Sequence, residues 1–155
     1  MSKVFCDKPF NHNYIHPNGK MRLCCTTIQD LPGDNNYNLF DASKNSIDEY
    51  WNSNRMKEIR RKMIAGEKIR DCERCYKQEE QGTASLRSTV DMKEFIRDTL
   101  PDGTYQKNAT TMQIQMGNIC NLKCKMCSQM YSHMHGLETL EIEKVDPEWL
   151  HWVKE

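Results

Sequence analysis

Eight cysteines in 155 residues constrain this chain more than any other feature, and they fall at positions 6, 24, 25, 72, 75, 120, 124 and 127. An even count invites a disulfide reading. The opening segment MSKVFCDKPF, however, lacks the apolar stretch of a secretory leader, so an oxidising compartment is unsupported. In a reducing, cytoplasmic setting, clustered thiols are metal ligands or catalytic groups. Leu, Ile, Val and Phe together number only 27, which is thin for a packed domain. Metal binding would offset part of that shortfall, because its free energy acts as folding free energy. Lys+Arg and Asp+Glu are both 22, so nothing favours a nucleic-acid or polybasic membrane partner. No run approaches the roughly 18 apolar residues of a membrane span.

Along the chain, residues 13–25 read as a hairpin around Pro17-Asn18-Gly19, a turn whose residues accept positive φ cheaply. Residues 26–45, with Pro32-Gly33-Asp34-Asn35-Asn36, read as loop. Ser46-Ile47-Asp48-Glu49 fits a capping box that opens a helix. A second helix is expected over Asn54–Ala65, with Met56, Ile59, Met63 and Ile64 on one face and a stop at Gly66. Residues 85–100 carry Val90, Phe95, Ile96 and Leu100 at mixed helical spacing, and Pro101-Asp102-Gly103 marks a boundary between segments 1–103 and 104–155. Residues 110–116 alternate polar and apolar as a strand does, and a helix is expected from about Ser128. Asp146-Pro147-Glu148 opens a further helix close to the C-terminus.

Cys120, Cys124 and Cys127 form C-x3-C-x2-C on a loop after that strand. Three thiolates on a short loop can hold three irons of a cubane and leave the fourth without a protein ligand. An open coordination position lets a metal centre bind and activate a substrate. A tetrahedral structural zinc would need a fourth ligand, and His133 and His135 lie six and eight residues beyond Cys127. Here the sequence resembles the radical S-adenosylmethionine superfamily. The resemblance implies a [4Fe-4S] cluster on Cys120, Cys124 and Cys127, with S-adenosylmethionine chelating the open iron. It also implies reductive cleavage of that cofactor to a 5′-deoxyadenosyl radical, which abstracts hydrogen from a peptide, protein or small polar substrate. An electron donor such as flavodoxin or ferredoxin would be the partner. Met126, where the family usually has an aromatic residue, would pack near the cofactor.

Cys6, Cys24, Cys72 and Cys75 form a second set, drawn from separate elements. Four thiolates close a metal centre completely, as a cluster or as a zinc site. The pattern of Cys, then Gly19-x4-Cys24, then C-x2-C resembles the SPASM and twitch auxiliary-cluster modules of some radical S-adenosylmethionine enzymes. Glu79, Gly82, Ser85 and Arg87, which follow Cys72-Glu-Arg-Cys75-Tyr76, are also similar. The resemblance implies an auxiliary [4Fe-4S] cluster on these four cysteines. In the commoner arrangement this module follows the barrel, whereas here it precedes the C-x3-C-x2-C loop.

The expected architecture is therefore an α+β N-terminal module, a β-hairpin plus helices around a four-cysteine cluster. It is followed by the first βα unit of a partial (β/α) barrel. On this reading the chain is the truncated N-terminal part of such an enzyme and is inactive alone. The alternative from another class is a non-catalytic zinc-binding interaction module with four cysteine ligands. Among the remaining residues, Cys25 reads as a small buried apolar group first and an alternative ligand second. His12 and His16 read as surface histidines, and the basic run Arg55, Lys57, Arg60, Arg61 and Lys62 as a solvated helix face. Ser85 and Arg87 are candidates to donate to a cluster sulfur or a nearby carbonyl. The methionines around the second cysteine loop (112, 116, 126, 130 and 134) read as adaptable core filler.

Overall fold

Gly19 adopts φ +77°, which lets the chain reverse so that strand β1 (His12–Ile15) meets β2 (Met21–Arg22) antiparallel. The Gly19 N–H donates to the His16 carbonyl at 2.8 Å, and the Asn18 side chain accepts from the Lys20 N–H at 3.0 Å. This computed structural model describes residues 4–27, 40–87, 92–115, 118–127 and 131–135. Several expectations lie outside those residues: the loop at Pro32-Gly33, Val90, Met116, Met130, and the helix from Asp146. Most of the helix expected from Ser128 lies outside them too.

Upstream of the hairpin, helix α1 (Lys8–Asn11) begins two residues after Cys6, with Asp7 as its N-cap. The capping box forms as expected: Ser46 Oγ accepts from the Glu49 N–H at 3.2 Å and Glu49 Oε2 accepts from the Ser46 N–H at 2.9 Å. Helix α2 (Ile47–Trp51) follows, and α3 spans Asn54–Ala65 before Gly66 ends it at φ +80°. A 3-10 turn (Arg70–Cys72) feeds α4 (Glu73–Glu80). Within 85–100 the regular helix is only α5 (Met92–Arg97), with Phe95 half-buried and Ile96 and Leu100 exposed. Strand β3 (Thr111–Ile114) joins β1 in parallel, His12 opposite Thr111 and Ile15 opposite Ile114, giving the order β2-β1-β3.

Phe10, Met21, Leu23, Tyr50, Met56, Ile59 and Met63 are buried in one core, with aromatic rings and methionines where aliphatic residues are scarce. Phe10 stacks on Phe5 at 5.2 Å and meets Tyr105 edge-on at 5.5 Å. Residues on both sides of the 101–103 turn share this core. Tyr105 is 4% exposed, and Trp51 Nε1 donates to the Lys107 carbonyl at 2.8 Å. Gly103 sits where a Cβ would fall 2.2 Å from the Lys57 carbonyl oxygen, so the turn closes directly on α3.

The basic run on α3 departs from its expected solvated face at Arg60, which is wholly buried. Its guanidinium carbon lies 4.6 Å from the Trp51 ring and 5.6 Å from the Tyr105 ring. Arg60 Nε donates to the Pro9 carbonyl at 2.8 Å and a terminal nitrogen donates to Asn52 Oδ1 at 2.8 Å. Burial lowers its pKa to about 10, so it stays cationic near neutrality, held by π-faces and carbonyl dipoles. His16 also departs from expectation: it is 3% exposed, with Nδ1 3.0 Å from Asn18 Oδ1.

Candidate metal centre

Three short pieces of chain bring four cysteines to one cavity of about 220 Å³. Cys6 arrives from the segment before α1, Cys24 from the end of the hairpin, and Cys72 and Cys75 from the start of α4. Buried tyrosine hydroxyls pin these pieces. Tyr50 Oη donates to the Arg22 carbonyl at 2.8 Å, two residues before Cys24. Tyr76 Oη donates to the Val4 carbonyl at 3.5 Å and accepts from the Ile69 N–H at 3.4 Å, tying the Cys6 segment to α4. Arg55 on α3 grips Asp71 at 2.6 Å, which fixes the 3-10 turn that ends in Cys72.

Cys6, Cys72 and Cys75 are buried and Cys24 is half-buried. Burial pushes the Cys6 thiol up to about 12; the Lys8 N–H opposes this, while Asp7, Cys24 and Cys75 add to it. Burial likewise raises Cys72, reinforced by Cys6 and Cys24. A desolvated thiol in this position is held neutral until a cation takes its proton's place. Cys72 is the N-cap of α4 and Cys75 lies in its first turn, the end of the helix whose dipole favours negative sulfur. Among the described residues, no three His, Cys, Asp or Glu side chains stand close enough together to hold a single metal ion. Four thiols lining one cavity supply the donor set and the space that an iron–sulfur cluster takes.

Other expectations sort themselves around this cavity. Cys25 is exposed rather than buried, because the turn after Cys24 points it away from the core; it still borders the cavity. His12 is half-buried at the cavity's edge, with Nδ1 2.9 Å from Thr111 Oγ1. Ser85 and Arg87 bind Glu79: Ser85 Oγ donates to Glu79 Oε1 at 2.5 Å, Arg87 Nε donates to the same oxygen at 2.8 Å, and a terminal Arg87 nitrogen reaches Oε2. Arg87 also lies 4.5 Å from the Tyr76 ring centroid and borders the cavity. Gly82, at φ +77°, turns the chain so that Ser85 and Arg87 can return to Glu79 on α4. The sequence reading missed Thr26 and Thr27, whose hydroxyls lie against Cys24; two threonines after a cysteine pair carry no motif that singles them out.

Cys120 and Cys127 are half-buried and Cys124 is exposed. Met126 is 96% exposed. The loop is held through its backbone. The Cys127 N–H donates to the Cys124 carbonyl at 2.9 Å, and Ser132 Oγ donates to the Leu122 carbonyl at 2.8 Å. His133 and His135, set aside as ligands by their sequence separation, fold back onto this loop. His133 Nδ1 accepts from the Cys120 N–H at 3.1 Å, and His135 Nε2 lies 2.9 Å from the Cys124 carbonyl. The segment they belong to reaches the sheet through Tyr131, whose ring centroid is 6.4 Å from that of His16.

Four cysteines lining one cavity are thus what the N-terminal half brings together. Residues 6–76 match the family model of SPASM, an iron-sulfur cluster-binding domain, and both ends of the match fall at this site: Cys6 and the residue after Cys75. The match supports iron–sulfur cluster binding by this part of the chain, as in the auxiliary modules associated with radical S-adenosylmethionine proteins. No curated protein matches the chain significantly, and no solved structure does. Among the described residues, no helix is long and apolar enough to cross a membrane.

Proposed function

We propose that Cys6, Cys24, Cys72 and Cys75 ligate a single auxiliary [4Fe-4S] cluster. Cys120, Cys124 and Cys127 would hold a second [4Fe-4S] cluster with an iron left open for S-adenosylmethionine. The convergence of four cysteines from three separate parts of the chain on one cavity, within the SPASM match, carries this reading. The wider protein would be a radical S-adenosylmethionine enzyme acting on a peptide, protein or small polar substrate. The C-x3-C-x2-C spacing and the strand β3 ahead of it support that part.

An iron–sulfur cluster supplies one-electron chemistry when bound. The chain's own residues prepare the first site in definite ways. The hairpin fixes the direction of Cys24, and the turn locked by Arg55–Asp71 fixes Cys72. The N-terminus of α4 offsets negative sulfur charge. Glu79 draws Arg87 to the cavity edge, where a guanidinium adds positive potential. At the second site, His133 and His135 brace the backbone of the loop that carries the three cysteines.

Anaerobic reconstitution with iron and sulfide tests the assignment. The wild-type chain should become brown and carry about eight irons. Cys72→Ala and Cys124→Ala should each lose about half of them. S-adenosylmethionine should perturb the electron paramagnetic resonance signal of Cys72→Ala but not that of Cys124→Ala. A colourless chain that retains zinc alone would overturn the cluster assignment.

A further inference from the structure

The turn after the hairpin carries two hydroxyls onto one ligand sulfur. Thr26 Oγ1 is 3.1 Å from Cys24 Sγ and 3.8 Å from Cys75 Sγ, so one hydroxyl lies between two of the four thiols. Thr27 Oγ1 is 3.4 Å from Cys24 Sγ, and Thr27 is 2% exposed. A buried hydroxyl requires a partner, and here the partner is the cysteine sulfur. The Thr27 N–H donates to the Cys24 carbonyl at 3.2 Å, which closes the turn and holds both hydroxyls over the sulfur.

We propose that Thr26 and Thr27 donate hydrogen bonds to the metal-bound sulfur of Cys24, with Thr26 shared with Cys75, and so set the potential at which the auxiliary cluster takes up an electron. The proposal rests on the assignment of that cluster to Cys6, Cys24, Cys72 and Cys75. In the metal-free protein either the thiol or the hydroxyl can donate. Once the sulfur has exchanged its proton for iron it can only accept, so both hydroxyls become donors. Each added electron places more negative charge on the ligating sulfurs. Donors aimed at those sulfurs therefore favour the reduced state more than the oxidised one and raise the potential. Thr26, shorter to Cys24 and shared with Cys75, contributes the larger part.

The test uses the full chain carrying Cys120→Ala, Cys124→Ala and Cys127→Ala, so that one cluster remains. Reconstituted protein is assayed for iron and sulfide, then titrated potentiometrically by electron paramagnetic resonance. With Thr26→Val the iron content should hold at about four per chain. The ratio of reduced to oxidised cluster at the parent midpoint should fall about tenfold, a shift of about 59 mV toward negative potential for one electron. Thr27→Val should shift it less, the double variant further, and Thr26→Ser should restore the parent value. Full iron with an unmoved midpoint in the double variant overturns the proposal while leaving the ligand assignment intact. Loss of iron in Thr26→Val makes the residue structural and overturns it as well. If the parent takes up no cluster, or Cys24→Ala retains it, the ligand assignment fails and takes this proposal with it.

Discussion

The two cysteine sets of this chain differ in what holds them. Cys6, Cys72 and Cys75 are 5–7% exposed and stand on pieces of chain pinned by Tyr50, Tyr76 and the Arg55–Asp71 pair. Around Cys124, by contrast, Ile119, Leu122 and Met126 are 62%, 57% and 96% exposed. The contacts described for that loop run mainly through its backbone. Side-chain packing therefore encloses the first cavity. Nothing comparable encloses the second loop among the described residues. An enclosed cavity suits the fully ligated cluster proposed for the first set, and an exposed loop suits the open iron proposed for the second.

Hydrogen exchange of the metal-free chain would separate the two regions by the widest margin. Amides of α3, such as Ile59 and Met63, should be protected at least about a hundredfold more than those of residues 121–126, because local opening of an exposed loop costs little. Reconstitution should then slow exchange at 120–127 far more than in α3. Equal protection of both regions without metal would break the distinction.

Next in size is Arg60. Arg60→Ala empties a fully buried volume, removes the donor to the Pro9 carbonyl and takes one of two donors from Asn52 Oδ1, which keeps the Tyr105 N–H. A loss of about 3 kcal/mol in urea denaturation is expected. Since α1 and α3 both meet Arg60, the variant should also lose iron from the Cys6, Cys24, Cys72 and Cys75 site while the 120–127 loop keeps its own. Equal iron loss from both sites would show that the two regions fold as one unit.

Much of this was readable from local chemistry. Pro17-Asn18-Gly19, the Ser46–Glu49 capping box and the Asn54–Ala65 helix each announce themselves within a few residues, and all three form. The Gly19-x4-Cys24 spacing and the Cys72-x2-Cys75 pair pointed to the cavity for the same reason. What was hidden depends on partners far away in sequence. Arg60 looked solvated because Trp51 and Tyr105, which cage it, lie on other elements. His16 looked exposed because its burial comes from tertiary packing around the hairpin. Ser85 and Arg87 were read toward a cluster; both bind Glu79 on α4, and Arg87 also borders the cysteine cavity. The alternation at 110–116 predicted the strand, yet all four residues of β3 are exposed, with Met112 and Ile114 about half covered.

Asp41 offers the finest probe, because it acts on the hairpin that presents Cys24 and has no counterpart described at the 120–127 loop. Burial alone would raise its carboxyl, but hydrogen bonds from Lys20 and Ser43 outweigh this and bring it down to about 2. Lys20 Nζ lies 2.6 Å from Oδ2, while the Ser43 N–H and Oγ donate to Oδ1 at 3.0 and 2.7 Å. A carboxyl depressed in the folded state contributes stability above its unfolded pKa near 3.8, and that contribution disappears as pH falls toward about 2. Asp41→Asn should therefore cost about 1.5 kcal/mol at pH 7. Urea melts of the two proteins should converge between pH 4 and pH 2, with the wild type losing its advantage. A gap that stays constant down to pH 2 would mean that the Asn side chain fails in packing rather than in charge. Convergence would instead place part of the rigidity of the Cys24 arm in one ion pair at the base of its turn.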